Sequence, residues 1–317
     1  MVATVHLGQV DHIGAIEHCQ MHRRSATAAV QLGEVRRRSV AQPTWPGVLS
    51  VRPAIGMPEP QRTETFLACL AAVRRHGAVP AVTAVLDGRP VVGVAEQRHA
   101  ELLAATHRVN LGGLPVAVAT NVDVAVTTVS AAVALAATAG IRFFATGGIG
   151  GVHRDGDHAG DVSADLAAIS RFPVGVVCSG AKAFLDLART LQRLESLGVA
   201  VVGLGTDQFP GFWTARSGLS IPSVDDRGAI DAVAVTAAIG HGAIVAVPPP
   251  RDAELDAATV DAAIERARHH DDGASGSTPR ILAEIARATG GAATRTNAAL
   301  LVANAGHAAR LATLAAS

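Results

Sequence analysis

One lysine is the first candidate for chemistry in this chain. Lys182, in "VVCSGAKAFLDL", is the only lysine among 27 Lys and Arg residues. An ordinary lysine is protonated at neutral pH, but apolar surroundings or a positive helix end favour the neutral amine. A neutral amine can form a Schiff base with an aldehyde, which a guanidinium cannot do. Lys182 is therefore a candidate nucleophile for a sugar aldehyde, against the simpler interpretation of a lysine left over from codon bias.

A glycine-rich and strongly charged stretch precedes this lysine. It reads "ATGGIGGVHRDGDHAGDVSADL" and fits neither the dinucleotide fingerprint nor the P-loop. Its charged residues fall within 13 positions: His153, Arg154, Asp155, Asp157, His158, Asp161 and Asp165. The Asp oxygens could hold a hard divalent cation, and Arg with backbone amides could hold a phosphate. A solvated acidic loop without a ligand is the competing interpretation.

Aromatic residues concentrate in a third stretch, "GLGTDQFPGFW". Phe209, Phe212 and Trp213 lie within five positions, in a chain whose aromatic residues make up only 3%. They could bind a flat ring, or they could fill the core. The sequence leaves both interpretations open.

Strands alternating with helices must position these residues. The pattern predicts an α/β domain with helices on both faces of a sheet. Apolar runs predict strands at 79–86, 91–94 and 114–120, followed by a helix at about 126–139. A further helix is predicted to begin at Lys182. Because ligands usually bind at the carboxyl ends of strands, the segments "TGGIGG", "CSGAK" and "GLGTDQFP" are expected to meet there.

Composition excludes several classes of function. The net charge of zero and the pI near 7.2 argue against binding of nucleic acid or an anionic membrane. No apolar run is long enough for a membrane span. The three cysteines have no metal-ligand spacing, which predicts a reduced, cytoplasmic protein.

Residues 1–47 differ from the rest of the chain. They contain four of the 13 His and an "RRRS" run, and they show no clear periodicity. We expect either a disordered extension or a misassigned start or reading frame. The functional domain is expected to span residues 48–317.

Several long stretches resemble one known family. They include "FFATGGIGGVHR", "RSGLSIP" and the block "DVSADLAAISRFPVGVVCSGAKAFLDLARTLQRLESLGVAVVGLGTDQFP". "GMPEPQ", "GAVPAVTAVLDGRPVVGV", "STPRILAEIARATGG" and "TNAALLVANA" extend the resemblance from about residue 54 to the end of the sequence. Together these stretches resemble the pseudouridine-5′-phosphate glycosidases, the indigoidine-synthase-A-like family.

The resemblance implies a fold, a reaction and a cofactor. It implies a single three-layer α/β/α domain with a central, largely parallel or mixed sheet, assembled as a homotrimer that needs a divalent cation, typically Mn²⁺. The implied reaction is reversible cleavage of the C-glycosidic bond of pseudouridine 5′-phosphate into uracil and ribose 5-phosphate. The family's lysine forms a Schiff base with C1′ of the ring-opened ribose, and Lys182 is the matching position.

The resemblance also implies the other site residues. Asp161 matches the aspartate that holds the cation, largely with water. Positions that match substrate contacts are Arg108, Val129, His153, Ser163, Ala164, Asp165 and Asn297. Arg108 replaces a second lysine of the family and is expected to keep its phosphate-binding charge, whereas Asn297 is expected to contact the base.

The chain departs from the family at its general acid/base. The family has a Glu in the strand before "GMP", and Leu49 stands at that position when the two are placed without a gap. The His directly before "GMP" is replaced by Ile55, and Gln208 and Val247 are further departures. A misassigned reading frame or a genuine divergence would each explain the missing Glu.

Three functions therefore stay open. The first is a glycosidase, impaired in this polypeptide by the missing Glu. The second is a C-glycosynthase that joins ribose 5-phosphate to another aromatic acceptor. The third is a pseudoenzyme that binds pentose phosphate without turnover.

Overall fold

The structure of the chain is a computed structural model. It describes residues 48–51, 57–154, 161–269 and 278–317. The expected extension at residues 1–47 lies outside the described residues, as do Ile55 and the loop residues Asp155, Asp157 and His158.

Ten strands of the described chain form one sheet. They are β1 (Val48–Val51), β2 (Val79–Leu86), β3 (Arg89–Val92), β4 (Arg108–Val109), β5 (Val124–Thr127), β6 (Phe143–Ala145), β7 (Gly175–Cys178), β8 (Ala200–Leu204), β9 (Ser223–Val224) and β10 (Ala243–Ala246). Their order is β4-β5-β2-β1-β6-β7-β10-β8-β9, with β3 paired to β2. Pairing is parallel except where β2 meets β3 and β5. The sheet is therefore mixed and largely parallel, as the sequence predicted.

Helices cover both faces of this sheet. They are α1 (Gln61–Arg75), α2 (His99–Ala104), α3 (Gly113–Ala119), α4 (Val129–Thr138), α5 (Ala164–Arg171), α6 (Leu187–Ser196), α7 (Asp226–Ala238), α8 (Ala257–His269), α9 (Thr278–Ala288) and α10 (Ala292–Leu314). No helix in the described part of the chain is long and apolar enough to cross a membrane.

Alternating side chains of the central strands build two separate cores. In β6, Phe143 packs with residues of α1, α7 and α10, whereas its neighbour Phe144 packs with residues of α4, α5 and α8. In β7, Val177 lies in the same core as Phe143, and Val176 lies in the same core as Phe144. This alternation follows from the two-residue period of a strand. The predicted three-layer α/β/α fold is confirmed.

The predicted strand at 114–120 is wrong, because this segment forms α3. Leu114 and Ala117, three residues apart, are buried, whereas Val116 and Val118 are 59% and 43% exposed. Burial therefore follows a helical spacing, although the valines of this segment recur every second residue, as they would in a strand. Pro115 lies in the first turn, where a helix does not need its missing N–H. The true strand is β5, which the sequence had placed partly in the next helix.

The helix after Lys182 begins later than predicted. Asp186 caps α6, and its carboxylate accepts the N–H of Arg189 at 2.9 Å. Lys182 lies five residues before the first helical residue, Leu187. The lysine therefore belongs to an extended and turning segment and is not, as the sequence had predicted, the first residue of the helix.

Candidate active site

Two segments that follow β6 and β7 run side by side beyond the sheet. The N–H of Ser179 donates to the carbonyl of Gly147 at 2.8 Å, and the N–H of Ile149 donates to that of Gly180 at 3.0 Å. The N–H of Lys182 then donates to the carbonyl of Ile149 at 3.1 Å. This main-chain pairing fixes the position of the lysine relative to the glycine-rich segment.

Lys182 is half-buried among apolar neighbours. Its sequence neighbours Ala181, Ala183 and Phe184 are all buried, and Lys182 itself is half-buried. The expectation of a lysine at an apolar strand end agrees with this environment.

Asn304 of α10 ties the starts of the two segments together. Its side chain is fully buried, and the amide nitrogen donates to the carbonyl of Thr146 at 2.9 Å and to Ser179 Oγ at 3.1 Å. A buried amide with its partners in place holds both strand ends at a fixed distance. The sequence analysis missed this residue.

Asp165 anchors the glycine-rich segment to the neighbouring loop. One carboxylate oxygen accepts the N–H of Gly150 and the other accepts the N–H of Ser130, both at 2.9 Å. Asp165 lies at the start of α5, where Ser163 is the N-cap and accepts the Asp165 N–H at 3.2 Å. A side chain at Gly150 would meet Ser163 Oγ at 2.1 Å, so this close approach requires glycine. Ala164, between them, is exposed.

Ser130 connects the start of α4, which carries Val129, and the segment after Arg108 to Asp165. Val129 is buried at the start of α4, directly before the residue whose N–H binds Asp165. Ser130 Oγ accepts the N–H of Leu111 at 3.2 Å, which brings the segment after β4 against this turn. Arg108 lies in β4, and its side chain is exposed.

A second arginine lies near Arg108. Desolvation and, to a smaller degree, the charge of Arg62 lower the pKa of the Arg108 guanidinium. Arg62 is held by the carbonyls of Met57 at 3.1 Å and Leu103 at 2.6 Å. Arg62 Nε also lies 3.4 Å from Glu59 Oε1, so part of its charge is balanced there. The sequence analysis did not single out Arg62.

His153 and Asp161 lie beside each other at the rim. The N–H of His153 donates to the carbonyl of Asp161 at 2.9 Å, and Val152 bridges Val162 across the same turn. Asp161 is exposed and His153 half-buried. Within residues 48–51, 57–154, 161–269 and 278–317, no three His, Cys, Asp or Glu side chains form a group that could hold a metal ion.

Asn297 lies on the side of α10 that faces the glycine-rich segment. A Cβ on Gly147 would come 3.3 Å from Asn297 Oδ1, so the amide stands directly over this glycine. Asn297 precedes Asn304 by seven residues, which places the two on one helix face. That spacing is the signal by which the sequence could have revealed Asn304.

The structure thus connects the predicted site residues through short contacts. Main-chain pairing joins Lys182 to the segment that ends at His153, and the carboxylate of Asp165 joins that segment to α4. Five of the remaining predicted residues border this network, namely Val129, Asp161, Ser163, Ala164 and Asn297, whereas Arg108 lies three residues before its contact at Leu111. Their chemical roles stay predictions.

The aromatic cluster fills the core. Phe209, Phe212 and Trp213 are 0%, 4% and 1% exposed, so none of them offers a face to a ligand. Phe212 lies against Gly148, where an added Cβ would be only 2.6 Å from the ring. Of the two interpretations left open, the core plug is the one the structure supports.

Two of the family departures have structural roles here. Gln208 Oε1 accepts the N–H of Gly218 at 3.1 Å and so closes the loop after β8. Val247 is buried, and its N–H donates to the carbonyl of Cys178 at 2.9 Å. Leu49 lies within β1 and pairs through its backbone with Pro80 and Phe143.

The fold and the contacts around Lys182 define a class: a three-layer α/β/α protein with an amine at the carboxyl edge of its sheet. Sequence comparison narrows this class to one family. The profile of the family described as indigoidine synthase A like protein matches residues 50–314. The chain belongs to this family, as the resemblance had indicated.

Curated relatives carry a shared name. A pseudouridine-5′-phosphate glycosidase from Methylobacterium nodulans is 45% identical over 267 residues, covering 81% of this chain and 79% of the relative. One of the same name from Solibacter usitatus is 42% identical over 269 residues, covering 81% of this chain and 89% of the relative.

Two crystal structures have a similar fold. An indigoidine synthase A-like protein from Thermotoga maritima has a TM-score of 0.80 and 27% identity, covering 87% of this chain and 96% of its own. The prealnumycin C-glycosynthase AlnA, in complex with ribulose 5-phosphate, has a TM-score of 0.77 and 30% identity, covering 91% of this chain and 95% of its own.

Proposed function

We propose that this chain cleaves the C-glycosidic bond of pseudouridine 5′-phosphate reversibly, giving uracil and ribose 5-phosphate. The observation that carries the proposal is the position of Lys182, held by its N–H to Ile149 among apolar neighbours at the carboxyl edge of the sheet. The names of the curated relatives supply the substrate. Lys182 is the only lysine side chain in the sequence, which supports it as the proposed nucleophile.

The chemistry assigned to Lys182 is imine formation with C1′ of ring-opened ribose. In the cleavage direction the ribose oxygen leaves C1′ as the amine bonds to it, and the bond from C1′ to the base then breaks. Its electron pair goes to the base, whose carbon takes up a proton, and the amine and C1′ are left as an imine. Water hydrolyses this imine and releases ribose 5-phosphate and the free amine.

Proton transfer to the base is the weak step in this polypeptide. The position where the family resemblance places a general acid/base is Leu49, which cannot move a proton. A positioned acid or base contributes roughly 10²–10⁴ in rate. We therefore propose slow cleavage, with imine formation at Lys182 retained.

Arg108 and Arg62 are proposed to bind the 5′-phosphate. The charge of Arg62 acts on Arg108, and arginine matches the geometry of phosphate oxygens. Arg62 is already fixed by two carbonyls and would lose little side-chain freedom, while Glu59 at 3.4 Å offsets part of its charge.

Asp161 is proposed as the protein ligand of a divalent cation such as Mn²⁺. Its carboxylate is exposed at the rim beside His153, which suits an ion that keeps most of its water shell. Asp165 is less suited, because both of its oxygens already accept backbone N–H groups. The cation would supply positive charge near the sugar phosphate.

A second candidate function is C-glycosynthesis with another aromatic acceptor. The similarity to AlnA, a C-glycosynthase crystallised with ribulose 5-phosphate, favours it. Both functions use the same pentose phosphate and differ in the acceptor. A pseudoenzyme that only binds pentose phosphate is the third outcome.

The test is borohydride trapping with ribose 5-phosphate and Mn²⁺, read by intact mass and peptide mapping. An adduct on the peptide that carries Lys182 supports the enzyme proposal, and mapping separates it from N-terminal labelling. Lys182→Arg, which keeps the charge but has no amine, should give no internal adduct. Binding of ribose 5-phosphate without any adduct would overturn the enzymatic role and favour the pseudoenzyme.

Acceptor, assembly and location need separate measurements. Release of uracil from pseudouridine 5′-phosphate supports the glycosidase, whereas turnover only with another aromatic acceptor supports the synthase. The homotrimer implied by the family resemblance is tested by light scattering after size exclusion. The cytoplasmic location stays a prediction from the cysteine content.

A further inference from the structure

The side chain of Arg154 donates hydrogen bonds to the turn that follows Lys182. Its Nε donates to the carbonyl of Leu185 at 3.2 Å, and its Nη2 donates to the carbonyl of Ala183 at 3.2 Å. The N–H of Leu185 donates back to the carbonyl of Lys182 at 3.0 Å and closes the turn. One side chain therefore holds two carbonyls within three residues of the lysine.

Main-chain hydrogen bonds hold the turn at its two ends, and no helix stabilises the residues between them. On the N-terminal side of Lys182, pairing with Ile149 fixes the backbone. On the C-terminal side, the N–H of Asp186 donates to the carbonyl of Val152 at 2.9 Å, and α6 begins only at Leu187. Arg154 supplies contacts in this gap, and its planar fork of donors is suited to binding two acceptors at once.

The direction of these contacts separates Arg154 from a phosphate ligand. The sequence left open that an arginine of the charged stretch binds phosphate. Two of the five guanidinium donors instead point to main-chain carbonyls of the segment that carries Lys182. The side chain is half-buried, in keeping with a supporting role.

We propose that Arg154 is a positioning residue for Lys182: it orders the turn from Lys182 to Leu185 and so keeps the amine in line with the sugar aldehyde. The proposal rests on the nucleophilic role of Lys182 proposed above. Arg154 itself takes no part in bond making. Its loss should slow imine formation while leaving pentose-phosphate binding nearly intact.

The experiment compares Arg154→Gln and Arg154→Ala with the wild-type chain. We expect trapping at Lys182 to slow by about 10–100-fold, since misplacing a reacting group by about 1 Å has an effect of that size. The dissociation constant of ribose 5-phosphate should change much less than the trapping rate. Added guanidinium ion should restore part of the rate in Arg154→Ala, which a general loss of stability would not allow.

Hydrogen–deuterium exchange gives a readout that needs no substrate. Exchange should rise in the peptide spanning Lys182–Leu185 and stay unchanged in peptides from α10. Arg310→Gln is the matched control, because Arg310 pairs with Asp226 at 2.7 Å outside this turn and should leave trapping unchanged.

The outcomes separate this inference from the proposed function. Unchanged trapping and exchange in the Arg154 variants, or loosening throughout the protein, would overturn the positioning role. A wild-type chain that forms no adduct would defeat the proposed function. Exchange would then still decide whether Arg154 orders the turn.

Discussion

The carboxylate of Asp165 accepts the backbone N–H of Gly150 at 2.9 Å, across 15 residues of sequence. Its second oxygen accepts the N–H of Ser130, at the start of the neighbouring helix α4. One buried side chain thus joins the glycine-rich segment to the start of α4. The Asp165 carboxylate therefore holds two backbone segments together, in addition to any contact that it makes with a ligand.

Asp165→Asn should therefore lower both stability and trapping. The amide keeps one acceptor oxygen but turns an NH₂ group toward the other N–H, leaving a buried donor without a partner. Loss of a buried hydrogen bond of this kind costs about 1–3 kcal/mol. Urea unfolding gives the stability change and borohydride trapping gives the effect on Lys182. Unchanged stability would mean that these hydrogen bonds are not needed to hold the loop.

Asn304 and Asn297 should separate stability from ligand contact. Asn304→Ala leaves Thr146 O and Ser179 Oγ without their buried donor, so we expect a loss of about 1–3 kcal/mol in the free energy of unfolding. Asn297→Ala removes a half-buried amide over Gly147 and should change stability by less than about 1 kcal/mol. Its effect should appear in the choice of base or acceptor. Equal destabilisation by both would contradict this division.

Gly180 and Gly205 form a matched pair of left-handed glycines. Both have positive φ, 74° and 68°, so alanine at either position carries a backbone strain of about 1–2 kcal/mol. A Cβ on Gly180 would also lie 2.0 Å from the carbonyl oxygen of Pro210, whereas nothing lies within 4 Å of one on Gly205. We expect Gly180→Ala to destabilise far more than Gly205→Ala. Similar unfolding midpoints of the two variants in urea would show that the loop around Gly180 rearranges to accommodate the added Cβ.

The two buried thiols predict a loss of stability at alkaline pH. Burial raises the pKa of Cys69 and Cys178 from 9.0 to about 12. Between these values the unfolded chain loses thiol protons that the folded chain keeps. Stability is therefore fully present below about pH 9 and falls above it, by up to about 1.4 kcal/mol per pH unit for each thiol.

Few other groups obscure this alkaline titration, because the chain has no Tyr and one Lys. Urea unfolding between pH 8 and pH 11 gives the slope. Cys69→Ala should remove part of it, whereas an unchanged slope would assign the effect to other groups. Neither thiol should react with iodoacetamide at neutral pH until the protein unfolds.

The sequence predicted buried strands of the sheet well because such strands are continuous apolar runs in the sequence. The apolar run that became β2 has six consecutive buried residues, so its assignment needed no knowledge of neighbours. α3 was mistaken for a strand because its alternating valines are exposed, and only the packed structure shows which side is buried. The boundary at residue 48 stays a prediction.

The site was predicted unevenly for a physical reason. Lys182 was singled out because an amine among arginines is chemically distinct. The contacts of Arg154 and Asn304 were not predicted, because they are made largely with backbone carbonyls that no residue pattern reports. Hydrogen bonds of this kind depend on how two distant backbone segments pack against each other, which the residue types of a single sequence do not specify.

The proposed nucleophile and the proposed contact to the base lie on different parts of the fold. Lys182 is placed by main-chain pairing at the edge of the sheet, whereas Asn297 reaches the site from a helix. With these proposed roles, substitutions along that helix would change which ring is accepted without moving the amine. Such a scaffold would exchange one acceptor for another over evolution while the proposed imine chemistry is inherited unchanged.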